Sequence, residues 1–346
     1  MGSGLTAAVV GASGYAGAEL VRLLLGHPEF EVGALTASDA RVGTSVRAYL
    51  PNLVSLGDRE FAPTSAAALA DADIVFTALP HGESATLLAE LDPDQRVVDL
   101  GADFRLSSPE QWKKYYGGKH AGTWIYGLPE VGGLRDRVLE STHVANPGCY
   151  ATAIQLALAP LLNADSVVAD DIVVVAASGT SGAGRKSADA LLASNVMGSM
   201  SSYKVGGVHQ HTPEIEQQLS MLAGTPVSVN FTPLLAPMSR GILATVTARL
   251  AADANPDDLR QDLLETYEDE PFVHVLPEGQ WPQTSSVYGT NACHLQVAYD
   301  NHTGRVVVVS AIDNLGKGAA GQALQNANLL FRLEETTGLT ALGVAP

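Results

Sequence analysis

The chain has 346 residues, 46% of them hydrophobic, and 34 glycines, which suits two packed α/β domains and excludes a disordered chain. Its formal net charge is −17, and no run of Lys or Arg interrupts it, so neither nucleic acid nor an anionic membrane is an expected partner. Two cysteines are too few for a disulfide framework, and apolar stretches such as 153–162 and 306–312 are too short to span a bilayer. With no basic region in residues 1–6, the expected setting is the cytoplasm.

Residues 7–10 read as a buried strand, since parallel strands covered on both faces lack polar alternation. Residues 15–25 follow as a helix, closed by Gly26 and Pro28. Strands are predicted at 31–35, 74–78, 97–100 and 143–146, with a helix over 83–91. This alternation implies a doubly wound parallel sheet. After Cys149 the pattern changes. A helix over 151–162 precedes β-rich segments at 172–177, 227–231, 242–250, 294–299 and 305–311. The alternation in Ala244-Thr245-Val246-Thr247-Ala248 marks an antiparallel sheet with one wet face. Helices over 213–222 and 256–267 would cover the other face, and a last helix spans 317–330.

The first strand runs into Gly11-Ala12-Ser13-Gly14-Tyr15-Ala16-Gly17 and then a helix, a G-x-x-G-x-x-G variant of the dinucleotide fingerprint. Glycine permits the tight turn, and missing side chains let backbone N–H groups approach a pyrophosphate at the helix N-terminus. The competing reading is a tight βα turn without a ligand. The second strand ends Leu35-Thr36-Ala37-Ser38, without the carboxylate that NAD sites place on the ribose. The hydroxyls of Thr36 and Ser38, with Arg41 nearby, favour NADP, although Asp39 is adjacent. Leu79, Pro80 and His81 belong at the same site, because ligands bind outside the carboxyl ends of such strands.

Cys149 follows a strand end and a Pro147-Gly148 turn and opens a helix. The first-turn N–H groups there favour the thiolate and would stabilise an oxyanion on an attacked carbonyl. Cys293, entering a strand, reads instead as a buried core residue. The best candidate base is His211, in His209-Gln210-His211-Thr212-Pro213-Glu214. Thr212 reads as an N-cap with Pro213 at the first helical position. That leaves His211 outside the helix N-terminus, neutral as a base must be, with Glu214 able to orient it. The competing readings are surface histidines and a zinc site, the latter lacking a third ligand, so no metal is expected.

These residues resemble the N-acetyl-γ-glutamyl-phosphate reductase family. The resemblance is carried by residues 144–153, with Pro160 ending the same helix, and by 11–17, 79–82, 101–105, 126–130, 178–185, 209–215, 239–242 and 312–318. Asn146 and Gln210 depart from it, standing where a short aliphatic or hydroxyl residue and an Arg are usual. The resemblance implies an α/β chain like glyceraldehyde-3-phosphate dehydrogenase. A Rossmann-type NADP domain over 1–148, completed by 316–346, would join a mostly antiparallel catalytic and oligomerisation domain over 149–315. It implies a homodimer or homotetramer acting on a small-molecule acyl phosphate. It also implies NADPH-dependent reduction to a semialdehyde through a Cys149 thioester, with His211 and Glu214 completing the catalytic group.

Arg105 resembles the phosphate-binding arginine of aspartate-semialdehyde dehydrogenases; its alternative is a surface ion pair with Asp103. His209 and Arg240 are further substrate ligands, Arg240 for the α-carboxylate. Ser178, Gly179 and Gly182 belong to a loop that lines the cofactor or moves as a lid, and Asn314 is expected on the nicotinamide amide. The rival readings are an aspartate-semialdehyde dehydrogenase, a reductase of carrier-bound aminoadipyl phosphate, and a sensor that binds dinucleotide without thiol chemistry.

Overall fold

The computed structural model describes residues 4–185 and 188–344. The chain divides into two compact units. The first comprises residues up to Pro129, Leu134–Pro147 and Ala319–Leu339, and the second Glu130–Gly133, Gly148–Gly318 and residues from Thr340 on.

In the first unit, strands β1 (Leu5–Val10), β2 (Phe30–Ala37), β3 (Ala62–Pro63), β4 (Ile74–Thr77), β5 (Arg96–Asp99), β6 (Ile125–Tyr126) and β7 (His143–Ala145) form one parallel sheet in the order β3-β2-β1-β4-β5-β7-β6. Helices α1 (Tyr15–Leu24), α2 (Val46–Tyr49), α3 (Ala66–Leu69), α4 (Ser84–Leu88), α5 (Pro109–Tyr115) and α6 (Leu134–Leu139) connect them. Strand β4 is wholly buried, as its unbroken apolar sequence requires. Helix α4 is shorter than the predicted 83–91, because Asp92 and Pro93 follow a turn that has already left the helix. The last helix, α11 (Gly321–Leu330), packs on α1, α6 and β5. Its sequence looks polar, yet Gln322, Gln325, Asn326 and Asn328 are all buried. Asn326 donates to Gly127 O, and Asn328 to Glu335 O and Thr337 O.

The second unit holds α7 (Cys149–Asn163), α8 (Ala193–Val196), α9 (Thr212–Ala223) and α10 (Leu259–Tyr267). Its strands are β8 (Ile172–Ser178), β9 (Ser201–Ser202), β10 (Val229–Leu235), β11 (Ile242–Arg249), β12 (Val273–Val275), β13 (Cys293–Asp300) and β14 (Arg305–Ile312). They form a sheet in the order β12-β13-β14-β11-β8-β10-β9, antiparallel except at the β12–β13 and β8–β10 pairs. The long helix α7 covers the central strands. Along β11 the expected alternation holds, with Ala244, Val246 and Ala248 buried and the threonines between them partly exposed.

Pro160 does not end its helix. It lies inside α7, which runs on to Asn163. Proline there removes the bond to the Leu156 carbonyl. That carbonyl accepts instead from the Tyr267 hydroxyl at 2.7 Å, which offsets the loss.

Candidate active site

The first unit supplies a nucleotide groove at the carboxyl end of its sheet. Beyond β1 the chain turns at Gly11, whose N–H, with that of Ala12, donates to Thr36 O. Gly11 sits at φ +77°, and a Cβ there would lie 2.5 Å from Ala78 O, so the turn admits only glycine. Gly17, one turn into α1, packs on the backbone of Gly11 and Ala12. Gly14 is the N-cap of α1 and brings no side chain, leaving first-turn N–H groups facing a groove of 710 Å³. This cradle fits a pyrophosphate.

Gly11, Ser13, Gly14, Ser38, Leu79 and Pro80 all line the groove. Other expected residues stand elsewhere. Tyr15 and Ala16 lie on the first turn of α1, and His81 is exposed, edge-on to Tyr116 at 5.2 Å. Thr36 is fully buried, its hydroxyl accepting from Thr64 at 3.0 Å, so it offers no donor to the groove. Asp39 lines the groove beside Ser38, and Arg41 lies over the Tyr49 ring at 4.4 Å.

Two carboxyl groups that the sequence had not placed at the groove hold its wall. Asp99 Oδ1 accepts from Thr77 Oγ1 at 2.6 Å, Ser84 Oγ at 3.0 Å and Gly101 N at 2.9 Å. Burial pushes this carboxyl above its usual range. Asp103 accepts from Gly82 N at 2.6 Å and Ala85 N at 3.1 Å. Together they pin both ends of the Leu79–Glu83 loop. Arg105 is therefore not the surface partner of Asp103. It is 6% exposed and donates to Asn146 O and Leu100 O, each at 2.8 Å.

In the second unit Cys149 is the first residue of α7, after an extended Gly148 N-cap. It is partly exposed, and neither cysteine forms a disulfide. The helix terminus favours its thiolate. Cys293 is sealed, and burial pushes its thiol up to about 12. Glu214 Oε1 accepts from Gly148 N at 2.7 Å, so the fully buried carboxylate joins the starts of α7 and α9.

Near Cys149 stand two tyrosines, Tyr150 and Tyr203, that the sequence had not grouped with it. His209 and His211 lie with centroids 5.0 Å apart, and both face Tyr150, at 5.5 and 6.0 Å. Tyr203 donates to Tyr150 Oη at 3.1 Å, and Tyr150 donates to Leu234 O at 3.1 Å. Burial, with Cys149 nearby, pushes Tyr203 up to about 12 and Tyr150 higher still. A tyrosine directly after the cysteine was a legible signal; its partner 53 residues away was not.

His209 Nδ1 accepts from His211 N at 3.1 Å, and burial, then the neighbouring His211 and Lys204, push it down to about 2. It is neutral. His211 itself is the N-cap of α9, displacing Thr212 from that role. Thr212 N bonds to His209 O, which places Thr212 inside the helix with its hydroxyl buried and unpartnered.

Three further expected site elements have partners within the protein. The Ser178–Gly184 loop is laced rather than lid-like: Gly179 N bonds Gly241 O, Thr180 N bonds Met238 O and Ser181 N bonds Ser239 O. Asn314 spends its amide inside this lacing, accepting from Gly241 N at 2.7 Å and donating to Ser181 Oγ at 3.0 Å. The carboxylate that Arg240 meets is Asp313, at 2.9 Å, within the protein.

Residues 6–138 match the family model "Semialdehyde dehydrogenase, NAD binding domain", and residues 149–314 match "Semialdehyde dehydrogenase, dimerisation domain". The chain is similar to the N-acetyl-gamma-glutamyl-phosphate reductases of Acidothermus cellulolyticus and Salinispora arenicola. It is 59% and 58% identical to them over 99% of its own length and 100% of theirs. Among solved structures it resembles aspartate semialdehyde dehydrogenase II of Vibrio cholerae complexed with ASA, with TM-score 0.71, 17% identity and coverage of 95% and 99% of the two chains. It likewise resembles the Candida albicans aspartate semialdehyde dehydrogenase with NADP, with TM-score 0.69, 18% identity and the same coverage. At such identities these two likenesses establish the fold alone. A glycine cradle on a parallel sheet, a cysteine that opens a helix, and these whole-length relatives agree: the chain belongs to the N-acetyl-gamma-glutamyl-phosphate reductase family of semialdehyde dehydrogenases.

Proposed function

We propose that the chain reduces N-acetyl-γ-glutamyl phosphate to N-acetyl-L-glutamate 5-semialdehyde with release of phosphate, in arginine biosynthesis. The observation that carries this reading is the position of Cys149, partly exposed at the first residue of α7, while Cys293 is sealed. The names of the whole-length relatives supply the substrate. NADPH, when bound, supplies the hydride. The glycine cradle and groove suit its pyrophosphate; Ser38 lines the groove, and with Arg41 three residues further on it would take a 2′-phosphate.

The residues of the chain then do the following. Cys149 Sγ attacks the γ-carbonyl carbon, and the α7 N–H groups hold the oxyanion. Collapse breaks the C–O bond to phosphate, a leaving group that needs little acid help, and leaves a thioester on Sγ. Reduction leaves a thiohemiacetal alkoxide; any proton it takes up comes from His211 and returns there, and its collapse breaks the C–S bond and releases the thiolate. Glu214 and His209 set the positions of Gly148 and His211. Arg105 offers its guanidinium to phosphate oxygens, for which a planar fork is suited.

Oligomerisation through the second unit fits the family model matched there and the open sheet face, where Val173 and Val175 are exposed. Among the described residues no helix is long and apolar enough to cross a membrane. With two cysteines outside any disulfide, a cytoplasmic location is proposed.

The test is turnover in the reverse direction, with NADP⁺, phosphate and either N-acetylglutamate 5-semialdehyde or aspartate semialdehyde. Preference for the free amino-acid semialdehyde would refute the substrate assignment. Cys149→Ser should end turnover and leave NADP⁺ binding near normal.

A further inference from the structure

Lys317 and Glu130 form an ion pair of 2.5 Å with both side chains fully buried, and the Lys317 ammonium lies 5.6 Å from the centre of the Phe272 ring. The chemistry above gives neither residue a task. Burying two charges costs several kcal/mol, and apolar side chains of similar size often serve stability as well. What an ion pair adds is direction.

Lys317 belongs to the π-helical turn Gly316–Ala320, a rare geometry found mostly at functional sites. The next residue but one along the strap, counted from Gly316, is Gly318, and a Cβ on it would lie 2.8 Å from Cys149 Cβ and 3.3 Å from Cys149 Cα. The strap backbone is thus a wall against the nucleophile. Its other end is also tied: Asp313 Oδ1 accepts from Leu315 N at 2.8 Å and Gly316 N at 3.0 Å, and Asp313 pairs with Arg240. Two ion pairs, at Asp313 and Lys317, therefore hold the segment that leads into Gly318.

We infer that Lys317 and Glu130 are positioning residues for Cys149, fixing the register of this π-turn and so the direction of Sγ. Sliding the turn by one residue would replace Gly318 with a side chain at a point where no side chain fits. The inference rests on the proposed thiol chemistry.

The test uses the full-length enzyme with Lys317→Met and Glu130→Leu combined, which removes both charges of the pair. Iodoacetamide alkylation of Cys149, followed by mass spectrometry, is read beside kcat, KM and thermal midpoint. The expected result is a fall in kcat and in alkylation rate of about 10- to 100-fold, the scale of a misplacement near 1 Å. The KM for the semialdehyde should stay within about twofold. The hydrogen-bonded pair Lys317→Gln with Glu130→Gln keeps direction without charge, and should recover most of the alkylation rate. Wild-type alkylation in the apolar variant would overturn the inference, as would a Gln pair no better than the apolar one. Alkylation needs no substrate, so it judges positioning whichever acyl phosphate the enzyme takes.

Discussion

Glu214 invites the sharpest test, since the sequence suggested a partner for His211 and the structure shows a link to Gly148. Its carboxylate sits in the first turn of α9 and accepts from Gly148 N at 2.7 Å, at the start of α7. Glu214→Gln keeps an oxygen for that N–H but removes the charge facing two helix N-termini. At roughly 0.5–2 kcal/mol for each partly buried terminus, the loss should be about 1–4 kcal/mol. Glu214→Ala also leaves the buried Gly148 N–H without its acceptor, a further ~1–3 kcal/mol, for a total of about 2–7 kcal/mol. Urea unfolding should rank wild type above Gln and Gln above Ala. The kcat should follow the same order, because Gly148 sets the start of the helix that carries Cys149. A Gln variant with near-native stability but a kcat as low as that of Ala would refute this reasoning. It would show that the carboxylate acts in proton transfer.

Three other outcomes are expected. His211→Asn should lower kcat by about two to four orders of magnitude, the span of general acid–base catalysis, and a change under about threefold would make the residue structural. Cys293→Ala should leave turnover near normal at a modest cost in thermal midpoint, as for a small buried thiol; loss of activity without loss of stability would give Cys293 a chemical role. Acid should destabilise the fold through His27, whose Nδ1 accepts from Glu29 N and Phe30 N at 3.1 Å and whose pKa burial lowers from 6.5. Above 6.5 that contribution is fully present, and it fades as pH falls below 6.5 toward the folded value, because the unfolded chain takes the proton first. His27→Gln should flatten the fall of thermal midpoint over that window; an unchanged slope in calorimetry would remove His27 as a cause.

Much of the architecture was legible because it rests on short-range periodicity. Strand β4 is buried on both faces and reads as an unbroken apolar run; β11 is buried on one and reads as an alternation. The glycine turn was legible for a steric reason: the space beside Gly11 is already filled by Ala78 O. Cys149 stood out because Pro147-Gly148 announces a helix start. Errors arose where a distant residue changes what a local rule predicts. Pro160 reads as a helix end until Tyr267, from another helix, supplies a donor to the stranded carbonyl. The Thr212 cap failed for a local reason instead: its N–H closes a turn on the His209 carbonyl, and His211 takes the cap position.

By itself the sequence determined two sheets of different character, a nucleotide turn and a thiol at a helix N-terminus, because each follows from the residues on either side of it. The tertiary structure alone decided which polar side chains are spent inside the protein. Arg240 on Asp313, Asn314 on Gly241 and Lys317 on Glu130 are partnerships between segments far apart in the chain, and a side chain committed to such a partner is identical in sequence to one waiting for a ligand.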